Sequence, residues 1–430
     1  IGMYVDSNGA ITVQYRNTPN NMGQFSTSAA TANMSAATWH HVAIVRHNNT
    51  LSAYLDGSVV GTDDISETTV GWKQLELGTH WGTSGGDDYR FTGYIDDFRI
   101  SKKAVYTANF TAPSSAHSTS YTSTTGEGGL VWLKERSSVG GLRYHSFFDT
   151  ARGTAKAIYS NTTDAEGSTS GVTAFNANGF TLGNTNIVNQ NTADFVSWTF
   201  RKAPKFFDIV TYTGNGSNRT IAHSLESTPG MILVKNIDQT DDWAVFHNGL
   251  NYGQSSNAAN WRVYLNGTGA RQDDNTIWND TLPTSTVFSV GTDHSVNANG
   301  ENYIAYLFAH NNNDGEFGPD GDQDIIKCGN FVTDSNNEEA TIDLGFEPQW
   351  VFFKRINSAV GGAWNLYDSM RGLHGDFLSQ AAVLVPNDSS AEDATTNRIA
   401  VTPTGFKIDN YGANRPFIYV AIRRGPLAVP

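Results

Sequence analysis

The chain reads as all-β, and three observations predict it. The first is internal repetition. Residues 349–372 read QWVFFKRINSAVGGAWNLYDSMRG, and residues 129–153 read GLVWLKERSSVGGLRYHSFFDTARG. Both hold an apolar strand ending in Lys, a Val-Gly-Gly turn and a terminal Asp-x-x-Arg-Gly; a weaker copy begins at Pro229 and continues MILVKNIDQTDDWAVFHNGL. Each copy closes on a further apolar strand, FVSWTFRKAP from Phe195, YIAYLFAH from Tyr303 and FIYVAIRRGP from Phe417. Self-similarity at this scale marks duplication of one unit. The second observation is that no ten-residue segment carries a helical apolar period, so only isolated helical turns are expected. The third is that strand-like runs are short and separated by Asn, Gly and Asp clusters, the residues that tight turns need.

Taken in order, residues 1–113 form the first module. The runs at 41–46 and 51–56 are joined by His47-Asn48-Asn49-Thr50, and Leu51, Ala53 and Leu55 fall on one face, which predicts a hairpin with one side buried. The Asp56-Gly57 pair then supplies a left-handed turn. Ile1 lies inside a strand-like pattern (MYVDSNGAITVQYRN follows closely), so preceding sequence is expected to have been removed or left out.

The set TWHHVAIVR, LSAYLDG, LELGTHW and FTGYIDDFRISKKAVYTANFTAP resembles the second half of a laminin-G-like, concanavalin A-type jelly roll. Trp39, the Tyr54-Leu55-Asp56-Gly57 turn and the strand through Gly93, Tyr94, Ile95, Asp96, Asp97, Phe98, Arg99 and Ile100 occupy that family's characteristic positions. The family's first strands are absent, so they precede Ile1 or another chain completes the sheets. The ending Tyr106-Thr107-Ala108-Asn109-Phe110 before Pro113 is similar to one in structural proteins of tailed bacteriophages, particularly marine ones, and the later repeats resemble uncharacterised repeats of the same virion proteins.

Residues 114–128 (SSAHSTSYTSTTGEG) are too poor in apolar groups to repay their ordering entropy and read as a linker. Three β-sandwich-like repeats follow, at 129–204, 205–313 and 324–430, with an acidic linker at 314–323. Repeats 2 and 3 open with an extra pair of strands, FDIVTYTGNGSNRTIAH and CGNFVTDSNNEEATIDL, for which repeat 1 has no obvious counterpart.

Composition narrows the functions. A net charge of −14 argues against nucleic acid, whose phosphates call for clustered Lys and Arg. A single cysteine, Cys328, excludes an intrachain disulfide framework and makes structural zinc improbable. No apolar run approaches the roughly 20 residues of a membrane helix, so membrane insertion is not expected.

Acidic doublets occur at Asp63-Asp64, Asp87-Asp88, Asp96-Asp97, Asp241-Asp242 and Asp273-Asp274. A glycoside hydrolase needs two carboxylates opposed across a bond. Neighbours on a strand point to opposite faces, so turn-forming Asp is the favoured explanation. Calcium suits two oxygen-rich loops: GTSGGDDY with Asp87 and Asp88, where the laminin-G-like resemblance also implies a rim ion, and DGEFGPDGDQD with Asp320, Asp322 and Asp324. Solvated acidic turns are the alternative. Glycan contact is assigned to Trp72, Trp81, Asp87, Asp88 and Tyr89 around the Gly-rich loop, since an aromatic face stacks on a sugar while Asp reads its hydroxyls. Trp243, Trp261, Trp278 and Trp364 are weighed for the same role against burial in a core, whereas Trp198 and Trp350 are read as core. The spacing Asp149-Arg152 and Asp368-Arg371, each ahead of a Gly, is read as a turn fixed by an ion pair before a residue with positive φ.

These features predict a non-enzymatic virion protein: a tail fibre or capsid appendage, homo-oligomeric, with a trimer suited to such a part, contacting other virion proteins and a host-surface glycan. A secreted bacterial adhesin or filament subunit, or a polysaccharide-cleaving enzyme, are the alternatives.

Overall fold

The computed structural model describes residues 2–5, 11–18, 21–26, 34, 38–65, 79–80, 89–90, 106, 108–110, 112, 128–137, 139, 144–317, 322–336, 338–375, 377, 381–395 and 398–425. The chain forms two compact units, Ile1–Ser120 and Tyr121–Pro430, and the division falls within the polar stretch read as a linker. As expected, the structure is all-β, with helix among the described residues confined to turns of three or four residues such as Asn275–Trp278.

In the first unit, Gly2–Val5, Ile11–Thr18 and Asn21–Ser26 form one antiparallel sheet and Val42–His47, Thr50–Leu55 and Ser58–Asp64 another. Ile11 and Val13 of the first sheet share an apolar cluster with Leu51, Ala53 and Leu55 of the second. The hairpin expected over 41–56 is present, turning at Asn48 with φ 54° and placing those three residues on its buried face. Asp56 (φ 49°) and Gly57 (φ 85°) make the next turn. A Cβ on Gly57 would lie 1.9 Å from the Phe110 carbonyl oxygen, so glycine is required there on two counts.

In the second unit the three repeats share one sheet plan. A lead strand (Gly129–Glu135, Pro229–Asn236, Pro348–Arg355) lies between a closing strand (Phe195–Arg201, Asn302–Ala309, Pro416–Arg423) and a second strand (Ser146–Asp149, Ala244–His247, Trp364–Asp368). Register is kept from repeat to repeat: Lys134 faces Val196, Lys235 faces Ile304 and Lys354 faces Ile418. A third strand continues the sheet in repeats 1 and 2 (Lys156–Tyr159, Trp261–Tyr264), and the bridge between Leu366 and Leu384 takes its place in repeat 3. Outside the closing strand, repeats 2 and 3 add an opening strand, Phe207–Thr213 and Ile326–Val332. Repeat 1 has none among the described residues. Each repeat also has a smaller sheet; the second member of each extra strand pair, Arg219–Ala222 and Ala340–Asp343, enters it.

One core joins all three repeats. Leu130 and Trp132 meet Leu233, Tyr306, Trp350 and Phe352 in a single apolar cluster. Ring centroids lie 6.1 Å apart for Trp132 and Phe352, 5.6 Å for Phe147 and Tyr306, and 5.6 Å for Phe200 and Trp350. The opposite faces of the lead strands bury locally, Val131 and Leu133 in repeat 1 and Val351 and Phe353 in repeat 3. Covered on both sides, a lead strand has to be apolar without alternation. That is why LVWL, MILV and WVFF run uninterrupted.

Candidate functional site

Equivalent polar side chains of the three repeats reach across to a neighbour, in one rotational sense at the lysine end of the strands and in the opposite sense at the far end. One residue before the end of each lead strand stands a buried lysine. Lys134 Nζ donates to the Ser389 carbonyl of repeat 3 (3.2 Å), Lys354 Nζ to the Gly267 carbonyl of repeat 2 (3.3 Å), and Lys235 Nζ to the Thr163 carbonyl of repeat 1 (3.2 Å). Each also bonds a carbonyl of its own repeat, from Glu135, Gly362 and Asn236. The three contacts close a ring.

Trp364 pairs with Lys354, and the same register continued by one residue sets His145 opposite Lys134 and Trp243 opposite Lys235. Trp243 Nε1 donates to the Tyr159 carbonyl of repeat 1 (2.9 Å) and Trp364 Nε1 to the Tyr264 carbonyl of repeat 2 (3.0 Å). His145 interacts with the backbone of Val385 in repeat 3, while its Nδ1 accepts from Trp132 Nε1 (3.0 Å). The far ends of the second strands make a further set. Asp149 accepts from the Tyr306 hydroxyl of repeat 2 (2.7 Å), Asp368 from Trp198 Nε1 of repeat 1 (2.9 Å), and His247 Nε2 donates to the Tyr419 carbonyl of repeat 3 (2.9 Å).

The Asp-x-x-Arg pairs form as the spacing predicted. Arg152 Nε meets Asp149 at 2.6 Å and Arg371 Nε meets Asp368 at 2.7 Å, followed by Gly153 at φ 87° and Gly372 at φ 96°. Each guanidinium also holds a strand carbonyl, Phe147 or Leu366, and a second carboxylate, Glu166 or Glu392. Arg136 then ties Glu392 back to repeat 1 at 2.8 Å.

Burial sets the electrostatics. It pulls the Lys354 amine down to about 7. Lys235 falls to about 8 by burial, partly countered by Asp241, and His247 to about 3. Burial also works against the Arg152 charge, but Tyr306, Asp149 and Glu166 outweigh it and hold the group protonated. Each of these groups already has a hydrogen-bond or ion-pair partner: Lys354 and Lys235 on carbonyls of a neighbouring repeat, His247 on the Tyr419 carbonyl and Arg152 on Asp149.

On the first unit, Trp39 is 68% exposed. The two residues that follow it are held by Asp56, which accepts from His41 N (2.8 Å), meets His40 Nδ1 (2.7 Å) and donates its own N–H to the His41 carbonyl (2.8 Å). Burial pushes the Asp56 carboxyl up, yet the bonds from His40 and His41 win and hold it below its usual range. Tyr106 and Phe110 stack at 3.5 Å, with the His41 ring edge-on to both. An indole open to solvent can lie flat on the apolar face of a sugar.

Of the glycan candidates, Trp72, Trp81, Asp87 and Asp88 lie outside the described residues; Tyr89 is described only as part of the short strand Tyr89–Arg90. Among the weighed tryptophans, Trp243, Trp278 and Trp364 are core and only Trp261 is partly exposed, its ring covered by Arg271 at 4.7 Å. Trp198 and Trp350 are buried, as read. For calcium, Asp320 is outside the described residues and Asp322 is exposed. Asp324 accepts from Asn313 N (2.9 Å) and Gly315 N (3.1 Å) and faces Lys327 at 3.4 Å, so its oxygens tie the loop down. No group of three His, Cys, Asp or Glu able to hold a metal occurs among the described residues. A polar cleft of about 340 Å³ between repeats 1 and 2 is lined by Arg152, Lys156, Glu166, Thr211, Thr213 and Asn302. The lysine ring escaped sequence reading, although the Lys ending each lead strand was its visible trace.

Residues 100–426 match a family model described as a domain of unknown function, DUF7483. The chain belongs to the DUF7483 family. The DUF7483 match takes in all three repeats, so the closed ring is an architecture of that family's domain in this chain. Residues 1–109 match the concanavalin A-like lectin/glucanases superfamily, in agreement with the laminin-G-like jelly roll expected there. No curated protein is matched. Among solved structures, the chain is similar to an S-layer domain-containing protein (residues 221–444) from Clostridium thermocellum ATCC 27405, at 21% identity and a TM-score of 0.16. That likeness covers 25% of this chain and 58% of the other.

Proposed function

We propose that this chain is a non-enzymatic structural protein of a virion, a tail-fibre or capsid-appendage component in which a closed β-ring carries a lectin-like module that attaches to host-surface glycan. The observation that carries the reading is where unit 2 spends its ionisable groups. Asp149, Arg152, Lys134, Lys235, Lys354, Asp368 and Arg371 all lock one repeat to another or fix its turns. Buried charges used this way give the second unit a fixed shape, and the lectin-like module of residues 1–109 supplies a binding surface. The sequence resemblance to tailed-phage structural proteins supports the setting, and closed rotational assembly into a homo-oligomer, with a trimer as the favoured form, suits an appendage. The test is competition: soluble protein added to host cells should block particle attachment, with Trp39→Ala weakening the block. Lack of both competition and glycan binding would sink the attachment role.

The adhesin or filament alternative has the same modules and is separated by locating the chain in the native particle. A glucanase-like reading takes support from the superfamily matched by residues 1–109, and predicts that the purified protein shortens a polysaccharide.

A further inference from the structure

The junction between repeats 1 and 2 matches the junction between repeats 3 and 1, with two long side chains replaced by short ones. Glu166 N donates to the Ile237 carbonyl as Glu392 N donates to the Arg136 carbonyl, both at 2.9 Å, so Ile237 occupies the place of Arg136. Ala151 N donates to Asp149 Oδ1 as Met370 N donates to Asp368 Oδ1, both at 3.0 Å, so Ala151 occupies the place of Met370. Between repeats 3 and 1, Arg136 sets Nε and Nη2 on the Glu392 carboxylate at 2.9 and 2.8 Å. Between repeats 1 and 2, Lys156 bonds Glu166 instead (2.7 Å), and Ile237 and Ala151 line the polar cleft of about 340 Å³.

That volume falls within the roughly 300–1,000 Å³ of small-molecule sites. The cleft is built on a fixed group: Arg152, its side chain 2% exposed, has Nε on Asp149, Nη1 on Glu166 and Nη2 on the Phe147 carbonyl. Other lining groups have bonding capacity to spare. Thr211 is exposed, and its hydroxyl has no hydrogen bond among the described residues. Thr213 donates to Asn302 Oδ1 (2.9 Å), which leaves the Thr213 oxygen able to accept. Asn302 spends one amide N–H on Asp238 (3.0 Å) and keeps the other, and the half-exposed Lys156 has ammonium N–H groups beyond the one on Glu166. Charge is balanced, Arg152 and Lys156 against Asp149 and Glu166, so a phosphate finds no surplus of cations.

We propose that this cleft binds a short saccharide. Neutral donors and acceptors beside the apolar side chains of Ile237 and Ala151 suit a ring that carries hydroxyls around apolar C–H faces. Thr211, Thr213 and Asn302 would take hydroxyls from the side of repeat 2, and Lys156 and Glu166 from the side of repeat 1. The site belongs to the second unit alone and does not rest on glycan contact by Trp39.

The test titrates the full chain with glucose, galactose, mannose, N-acetylglucosamine, glucuronic acid and their disaccharides, followed by ligand-observed NMR and calorimetry. Saturable binding of at least one is expected. Ile237→Arg, which gives this junction the side chain its sister carries, should weaken binding by about tenfold or more. Thr211→Val, which removes one exposed hydroxyl at nearly unchanged shape, should weaken it by roughly two- to tenfold with the unfolding temperature unmoved. Trp39→Ala should leave this affinity as it was. No saturable binding to any sugar of the panel would overturn the proposal, as would binding that neither cleft variant weakens. Binding abolished by Trp39→Ala would return the saccharide to the first unit, and displacement by equimolar inorganic phosphate would make the cleft an anion site; either result overturns it too.

Discussion

Replacing Asp368 by Ala removes the hinge of one cross-repeat clasp. The carboxylate accepts from Arg371 Nε at 2.7 Å, from Trp198 Nε1 of repeat 1 at 2.9 Å, and from the backbone of Met370 and Arg371 at 3.0 and 3.1 Å. Arg371, with its side chain 1% exposed, would be left with Glu392 as its remaining carboxylate, at 3.2 Å. Breaking a buried pair from one side costs about 3–5 kcal/mol, because the surviving charge stays out of water. For a cooperative unit of roughly 300 residues, an unfolding entropy of about 2.1 cal/mol/K per residue gives about 0.6 kcal/mol/K, so the midpoint should fall by about 5–8 °C. Calorimetry of the full chain measures it, and the transition of the first unit serves as an internal control. Met370→Ala, at a side chain 88% exposed, should move the midpoint by less than about 1 °C. An Asp368→Ala shift no larger than that of Met370→Ala would refute the idea that these clasps hold the repeats together.

Lys354 gives a pH test. Its folded value, about 7, lies below the unfolded value near 10.5, so the unfolded chain binds more protons between those limits and stability should rise with pH by up to about 1.4 kcal/mol per unit from pH 7 to 10. Lys354→Met should flatten that rise in denaturant titrations, and an unchanged slope would contradict the assignment. Gly57→Ala should destabilise the first unit by at least ~2 kcal/mol, since it forces both a positive φ and a clash with Phe110, and leave the second transition alone. Trp39→Ala should cut glycan or cell-surface binding several-fold with a midpoint shift below about 1 °C, because the ring is mostly in solvent. Calcium at millimolar concentration should raise the unfolding midpoint if the loops bearing Asp87, Asp88, Asp320 and Asp322 bind it, an effect that a chelator reverses and that Asp322→Asn diminishes; an unmoved midpoint would remove calcium from the account.

Much of the fold was legible because duplication writes the same instructions three times. The Lys and the closing strand mark equivalent places, and the opening pair of strands is readable in repeats 2 and 3. The hairpin at Val42–His47 and Thr50–Leu55 was readable from simple alternation. Closure of the repeats on one another was not. Trp243 donating to Tyr159 and Trp364 to Tyr264 are contacts between residues 84 and 100 positions apart, and nothing local in either segment encodes the partner. The same blindness made those tryptophans candidates for a sugar. Whether an aromatic at a strand position is core or surface depends on how many faces of its sheet are covered, and only the uninterrupted apolar lead strands hinted that both were.

The three repeats should behave as one locked body, and scanning calorimetry of the full chain, with the second unit followed in parallel through the fluorescence of its buried tryptophans, probes this most directly. One transition for residues 121–430, with calorimetric and van't Hoff enthalpies in agreement, is the predicted result. Separate transitions for individual repeats would contradict it.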